Sequence, residues 1–129
     1  MFLLVAIVLL RMRSMRFGAV RRKEISVEYY RAYPEGQEPE ALRVLARHFA
    51  NLFEVPILFY VGVLMTYVTH QVTWFLIGCA WAYVLMRYLH SWVHLGTNDV
   101  RVRFALYFSS GFVLSVMWAT LLVRLVAAG

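Results

Sequence analysis

Three long apolar stretches constrain the fold of this chain more than any other feature. They lie at about residues 42–68, 72–94 and 104–127, and each approaches or exceeds the roughly 20 apolar residues that a helix needs to cross a bilayer. Hydrophobic residues make up 62% of the 129 positions, whereas soluble domains contain about 45–50%. The sequence therefore predicts an all-α integral membrane domain.

The N-terminal ten residues are also apolar but too short to span a bilayer alone. We interpret them as the inner part of a first transmembrane helix, whose native start lies at or upstream of Met1. The expected fold is a single domain over residues 1–129, a four-helix bundle with helices at about 1–15, 39–68, 72–96 and 100–127 and a cytoplasmic loop at 16–38. A chain this small is expected to oligomerise to complete a site.

The distribution of positive charge predicts the orientation of the helices. The net charge is +6, and Arg124 is the one basic residue of 13 near the membrane face opposite the others. Because basic residues favour cytoplasmic loops, residues 12–40 and 96–100 are expected in the cytoplasm and both termini outside. The basic residues follow this interface, so we expect no nucleic-acid partner. The single cysteine, Cys79, excludes a disulfide within the chain.

A polar stripe begins the second apolar stretch. Arg47, Asn51 and Glu54 are spaced i, i+4 and i+7, which places them on one face of a helix. Burying such groups in hydrocarbon is costly, so they require polar partners or a ligand. Pro56 cannot donate to the carbonyl of Leu52, which predicts a kink and a freed backbone acceptor beside the stripe.

Two further helices carry polar faces at the same expected depth in the membrane. One face lies at the end of the third helix and the other at the start of the fourth, where Arg103, Tyr107 and Ser110 are spaced i, i+4 and i+7. With alternating helix directions, all the polar ends approach the cytoplasmic leaflet. The predicted cluster consists of Arg47, Asn51, Glu54, Tyr83, Arg87, His90, His94 and Arg103. Its excess of cations predicts an anionic ligand.

Several alternatives remain open at this point. Glu54 could pair with Arg47 or Arg87 only to fix helix register, and Arg101 could be a headgroup anchor. His90 and His94 could bind a metal ion or haem, but no carboxylate or cysteine shares their face. We therefore predict no metal site.

Two motifs resemble the signatures of a known family, the membrane-associated proteins in eicosanoid and glutathione metabolism (MAPEG), in the style of its bacterial members. The resemblance covers about residue 11 to the C-terminus. The first motif is Arg47-x-x-x-Asn51-x-x-Glu54-x-Pro56-x-x-Phe59. The second is Arg87-x-x-His90-Ser91-x-x-His94, followed by Asn98-x-Val100-x-x-Arg103-Phe104. Some relatives have serine where this chain has Phe104.

The resemblance implies four helices per chain, a homotrimer in the bacterial inner membrane, and glutathione as co-substrate between adjacent subunits at the cytoplasmic side. It assigns activation of the thiol to Arg103. Tyr83 and Tyr107 lie on the same polar faces and join the expected glutathione contacts. The full set of these contacts is Arg47, Asn51, Glu54, Tyr83, Arg87, His90, His94 and Tyr107.

The expected function is that of a glutathione transferase or peroxidase acting on a lipophilic electrophile through an arginine-stabilised thiolate. Its partners would be the bilayer, two further copies of the chain and a hydrophobic small-molecule substrate. The alternative is a non-catalytic membrane protein with the same fold that binds an anionic lipid or a partner helix.

Overall fold

The computed structural model describes residues 1–34 and 38–128, and these residues form α-helices and no strand. This confirms the all-α class, while the four-helix bundle and the trimer stay predictions. Residues 35–37 of the predicted loop and residue 129 lie outside the described residues. The helices are α1 (Phe2–Arg21), α2 (Tyr29–Ala32), α3 (Glu40–Asn51), α4 (Val55–Val68), α5 (Trp74–Leu95) and α6 (Val100–Ala128).

The first helix extends further than the sequence analysis expected. We placed its end at about residue 15, whereas α1 continues to Arg21. The extension, residues 16–21, contains two arginines and an alanine, which are good helix formers, and its one glycine does not end the helix. The expected loop at 16–38, which was interpreted as containing an interfacial helical turn, includes the short α2.

The helix predicted over residues 39–68 is interrupted. Helix α3 ends at Asn51 and α4 begins at Val55, so Pro56 falls in the first turn of a new helix. Proline is favoured there, because the first N–H groups of a helix have no intrahelical acceptor. The prediction of one continuous helical face through Arg47, Asn51 and Glu54 is therefore wrong, since Glu54 lies beyond the break.

Helices α5 and α6 pack against each other, and each begins at a polar cap. The Thr73 hydroxyl accepts a hydrogen bond from the backbone N–H of Leu76 at 3.3 Å. Asp99 Oδ1 accepts from the backbone N–H groups of Arg101 at 2.8 Å and Val102 at 3.2 Å. These caps satisfy donors that a helix start leaves open, and so they fix where both helices begin.

Two stretches of the described chain are long and apolar enough to cross a membrane, Glu40–Val68 and Val100–Ala128. The remaining predicted span, at about residues 72–94, corresponds to α5 and is not among these two stretches. Only a minor share of the most apolar 18-residue window of each stretch is buried within the chain: 28% in Glu40–Val68 and 17% in Val100–Ala128. The apolar surface thus faces outward, where lipid or another chain has to cover it.

The chain divides into two compact units, Met1–Ala50 and Asn51–Gly129. In the first unit, buried side chains from α1, α2 and α3 form a small core: Ala19, Ile25, Tyr29 and Leu42. In the second unit, the buried side chains come from α4, α5 and α6, and Tyr83 and Leu121 are fully enclosed. The polar residues considered below belong mainly to this second unit.

Gly62 marks a close approach of α4 and α6. A Cβ at this position would lie 2.6 Å from Met117 Cε and 3.2 Å from Trp118 Nε1. The Trp118 indole already donates to the Leu58 carbonyl at 3.2 Å, which holds the two helices together.

We expect Gly62→Val to destabilise the protein by about 1–3 kcal/mol, because the added methyl groups overpack this crossing. Thermal melting in detergent measures the effect. Gly78→Val is the matched control, since a Cβ at Gly78 meets no atom within 4 Å in the described part of the chain. Equal changes in melting temperature for the two variants would contradict the close packing.

Candidate polar site between α4, α5 and α6

Arg87 is the central residue of the polar site. It is fully buried, with 0% of its surface exposed. Its Nη2 donates to the Asn51 carbonyl at 3.2 Å, and its guanidinium carbon lies 5.4 Å from the centroid of the Tyr107 ring. Its Nε and Nη1 are buried and have no hydrogen-bond partner among the described residues. A buried cation with open donors is costly unless an acceptor reaches it.

The break between α3 and α4 explains why a backbone acceptor faces Arg87. A helix that ends at Asn51 leaves its last carbonyls without intrahelical donors. The sequence analysis expected the carbonyl freed by Pro56 to be that of Leu52. The carbonyl that Arg87 contacts is instead that of Asn51, one residue earlier.

Tyr83 lies one turn before Arg87 and is also fully buried. Its ring stacks on Phe59 of α4, with centroids 4.6 Å apart and planes inclined by 15°. Its hydroxyl is buried without a hydrogen-bond partner in the described residues. Phe59 belongs to the first motif, but no pattern in the sequence indicated that it would stack on Tyr83.

His90 connects α5 to α6. Its Nδ1 lies 3.1 Å from the carbonyl oxygen of Arg103, so Nδ1–H is the donor. The ring centroid lies 5.8 Å from that of Tyr107 and 5.7 Å from that of His94. The two histidines, Arg87 and Tyr107 therefore form one contiguous set of side chains.

Arg103 completes this set at the start of α6. Its Nη1 donates to Asn98 Oδ1 at 2.6 Å and lies 3.3 Å from His94 Nδ1, which itself is 3.2 Å from Asn98 Oδ1. The two His94 contacts exclude each other, because the first needs an unprotonated Nδ1 and the second a protonated one. Arg103 is half-buried, whereas Arg101 is exposed. The structure thus brings Arg103 and not Arg101 to the histidines.

Asn98 is a site residue that the sequence analysis missed. It has a φ of 52°, and its backbone N–H donates to the Val93 carbonyl at 2.8 Å, which closes the turn after α5. The second motif includes Asn98, but the sequence analysis assigned it no contact in the site. The available signal was the tolerance of asparagine for this left-handed conformation, which turns its side chain towards Arg103.

The structure brings some of the predicted site residues together and leaves others apart. Glu54 precedes α4 with an exposed side chain, and no ion pair joins it to Arg87 within the described residues. Arg47 is exposed and belongs to the first unit, so its part in the site stays a prediction. No group of three His, Cys, Asp or Glu side chains in the described chain is arranged to hold a metal ion. The residues brought together in the second unit are Asn51, Tyr83, Arg87, His90, His94, Arg103 and Tyr107.

Comparison with known proteins gives one finding. A family model described as the MAPEG family matches residues 1–123. Neither a curated protein nor a solved structure matches the chain.

Proposed function

Because the chain belongs to the MAPEG family, we propose that it is a glutathione-dependent membrane enzyme of the transferase or peroxidase type, acting on a lipophilic electrophile. The observation that carries the proposal is the buried Arg87 guanidinium with two donors open. An anion placed there offsets the cost of burying the charge.

Glutathione supplies groups of the required kind. It carries two carboxylates, an ammonium group and a thiol. Nε and Nη1 of Arg87 and the hydroxyl of Tyr83 can each donate to a carboxylate oxygen, and a charged partner makes such bonds strong. The exposed carboxylate of Glu54 suits the ammonium group, with Asn51 as a further contact. The tripeptide therefore matches the charges of the site.

Arg103 is the residue proposed to stabilise the thiolate. A nearby cation lowers the pKa of a thiol, and the thiolate is the nucleophile. Asn98 and His94 hold the guanidinium through Nη1, and within the described residues its recorded hydrogen bonds use that atom alone. The thiol proton passes to water. The sulfur then attacks the electrophilic carbon, a C–S bond forms, and the leaving group departs with its electron pair.

The proposed setting is a homotrimer in the bacterial inner membrane, with each site between subunits at the cytoplasmic side and both termini outside. Two apolar stretches of membrane length and their outward-facing apolar surface support this setting. A lipophilic substrate would enter from the bilayer.

A second candidate function is that of a non-catalytic protein that binds an anionic lipid or a partner helix. One observation favours it: Phe104, Phe108 and Phe112 are 64%, 67% and 68% exposed along one face of α6. This apolar stripe begins at the position where some relatives have serine.

Turnover measurements in lipid nanodiscs test the proposal. We expect the purified protein with glutathione to consume either a chlorodinitrobenzene-type electrophile or a lipid hydroperoxide well above the uncatalysed rate. In the first reaction, chloride leaves as the C–S bond forms. No consumption of either compound, combined with saturable binding of glutathione, would favour the non-catalytic candidate.

A further inference from the structure

The first unit contains a cavity that the proposed function does not use. Its volume is about 320 Å³, which falls within the range of roughly 300–1,000 Å³ typical of small-molecule sites. Its lining is mostly apolar and aromatic, with one guanidinium. The lining residues are Arg16, Phe17 and Val20 of α1 together with Val27, Tyr30 and Tyr33.

Two tyrosines, Tyr30 and Tyr33, line one wall of this cavity, and the core residue Tyr29 packs against both of them. The rings of Tyr29, Tyr30 and Tyr33 meet edge to face, with centroids 5.2–5.8 Å apart. Tyr33 has a φ of 47°, and its N–H donates to the Tyr29 carbonyl at 2.8 Å. A left-handed backbone costs a bulky residue about 1–2 kcal/mol, so the ring contacts have to offset that strain.

Arg16 faces this wall with an open donor. Its guanidinium carbon lies 5.4 Å from the Tyr30 ring centroid and 5.9 Å from that of Tyr33. Among the described residues, its buried Nε has no hydrogen-bond partner, and neither has the buried hydroxyl of Tyr30. Burial raises the pKa of Tyr30 more than Arg16 lowers it, and the charge of Glu38 raises it further. The phenol therefore stays a donor at neutral pH, and both open groups call for an acceptor.

The charge around the cavity decides which ligand fits. A tyrosine cage alone would suit a quaternary ammonium group, but Arg16 already faces two of the rings and repels a second cation. Basic residues crowd this part of α1 and the turn after it, where they are Arg11, Arg13, Arg16, Arg21, Arg22 and Lys23. Two acids of the same unit act on these groups: Glu24 is paired with Arg22 at 2.7 Å, and Glu38, whose charge acts on Tyr30, has a buried Oε1 with no hydrogen-bond partner among the described residues. The basic residues outnumber these two carboxylates. Such clusters beside a membrane attract anionic lipids.

We propose that this cavity binds the headgroup of an anionic phospholipid. Arg16 and Tyr30 donate to the phosphate oxygens, and the first carbons of an acyl chain pack on Phe17, Val20 and Val27. The assignment stands independently of the proposed glutathione chemistry, because it uses residues of the first unit alone.

Native mass spectrometry with dioleoyl phosphatidylglycerol tests the assignment. We expect Arg16→Gln to lower the affinity about tenfold, which corresponds to the loss of one charge-assisted contact. Arg21→Gln is the matched control, since Arg21 is exposed on the same helix and its loss changes the net charge equally; we expect less than about a twofold change for a surface charge. Tyr30→Phe removes only the hydroxyl and is expected to weaken binding about threefold, which keeps the test decisive if Arg16→Gln does not fold.

Four outcomes would overturn the assignment. Equal losses of lipid affinity in Arg16→Gln and Arg21→Gln would show that the lipid responds only to the general surface charge. Equal affinity for dioleoyl phosphatidylcholine would show that the net charge of the headgroup does not matter. Equal affinity for oleate would assign the cavity to a fatty-acid carboxylate. Displacement of the lipid by glutathione would assign it to the tripeptide.

Discussion

Replacing Arg87 by methionine is expected to lower the affinity for glutathione about a hundredfold, while the melting temperature of the ligand-free protein stays the same or rises. The two effects have one cause. Without a ligand, the buried guanidinium leaves Nε and Nη1 open, and an apolar side chain of similar length removes that cost. With a ligand, the same donors make charge-assisted bonds worth about 1.5–3 kcal/mol each.

Isothermal calorimetry and thermal melting on one preparation measure both effects. Arg101→Met is the matched control, because Arg101 is exposed on α6 and its removal changes the net charge equally. This control variant should change neither the affinity for glutathione nor the melting temperature appreciably. A fall in melting temperature with unchanged glutathione affinity would show that Arg87 serves the fold and not the ligand.

Replacing Arg103 by alanine is expected to lower kcat by about two to three orders of magnitude, in line with the loss of a group that stabilises developing charge. Affinity for glutathione should change far less, because the carboxylates are held elsewhere. A cation stabilises the thiolate and so lowers the thiol pKa. Its removal should therefore return the pKa of bound glutathione towards the ordinary thiol value of about 8.5 and shift the activity profile to higher pH.

The thiolate absorbance of bound glutathione, followed across a pH series, reports that pKa directly. Arg101→Ala carries the same charge change on the same helix but lies outside the histidine cluster. Equal shifts in the two variants would mean that Arg103 acts only through the general potential of the protein. No shift in either variant would remove Arg103 from the mechanism.

Helical periodicity was enough to predict the polar face of α5. Tyr83, Arg87, His90 and His94 recur at helical spacing, and all four are buried in the structure. Because α5 is one uninterrupted helix, a regular period maps onto one face without any knowledge of the tertiary structure. The spacing of Arg103 with Tyr107 and Ser110 also predicted a polar face at the start of α6, but it did not decide between Arg101 and Arg103, which the structure distinguishes.

The same method failed where the backbone changes direction. Arg47, Asn51 and Glu54 have helical spacing, but the helix stops at Asn51 and the period no longer applies. Pro56 signalled an irregularity without specifying where the preceding helix would end, since proline is compatible with both a kink and a first helical turn. The contact between Arg87 and the Asn51 carbonyl depends on that end and could not be predicted.

The cavity of the first unit was also beyond the sequence analysis. Tyr29 and Tyr30 were expected in the cytoplasmic loop at 16–38, and nothing in the spacing indicated that Tyr33 would adopt a left-handed backbone. The cavity also requires α1 to continue to Arg21, because Arg16, Phe17 and Val20 lie beyond the predicted end of that helix.

The most direct test of the central claim is a calorimetric titration of the purified protein in lipid nanodiscs with glutathione. The proposal predicts a saturable heat of binding, with an affinity that Arg87→Met lowers about a hundredfold and Arg101→Met leaves unchanged. A wild-type protein that is folded but gives no heat with glutathione would contradict the claim that the buried arginine cluster binds an anionic thiol tripeptide.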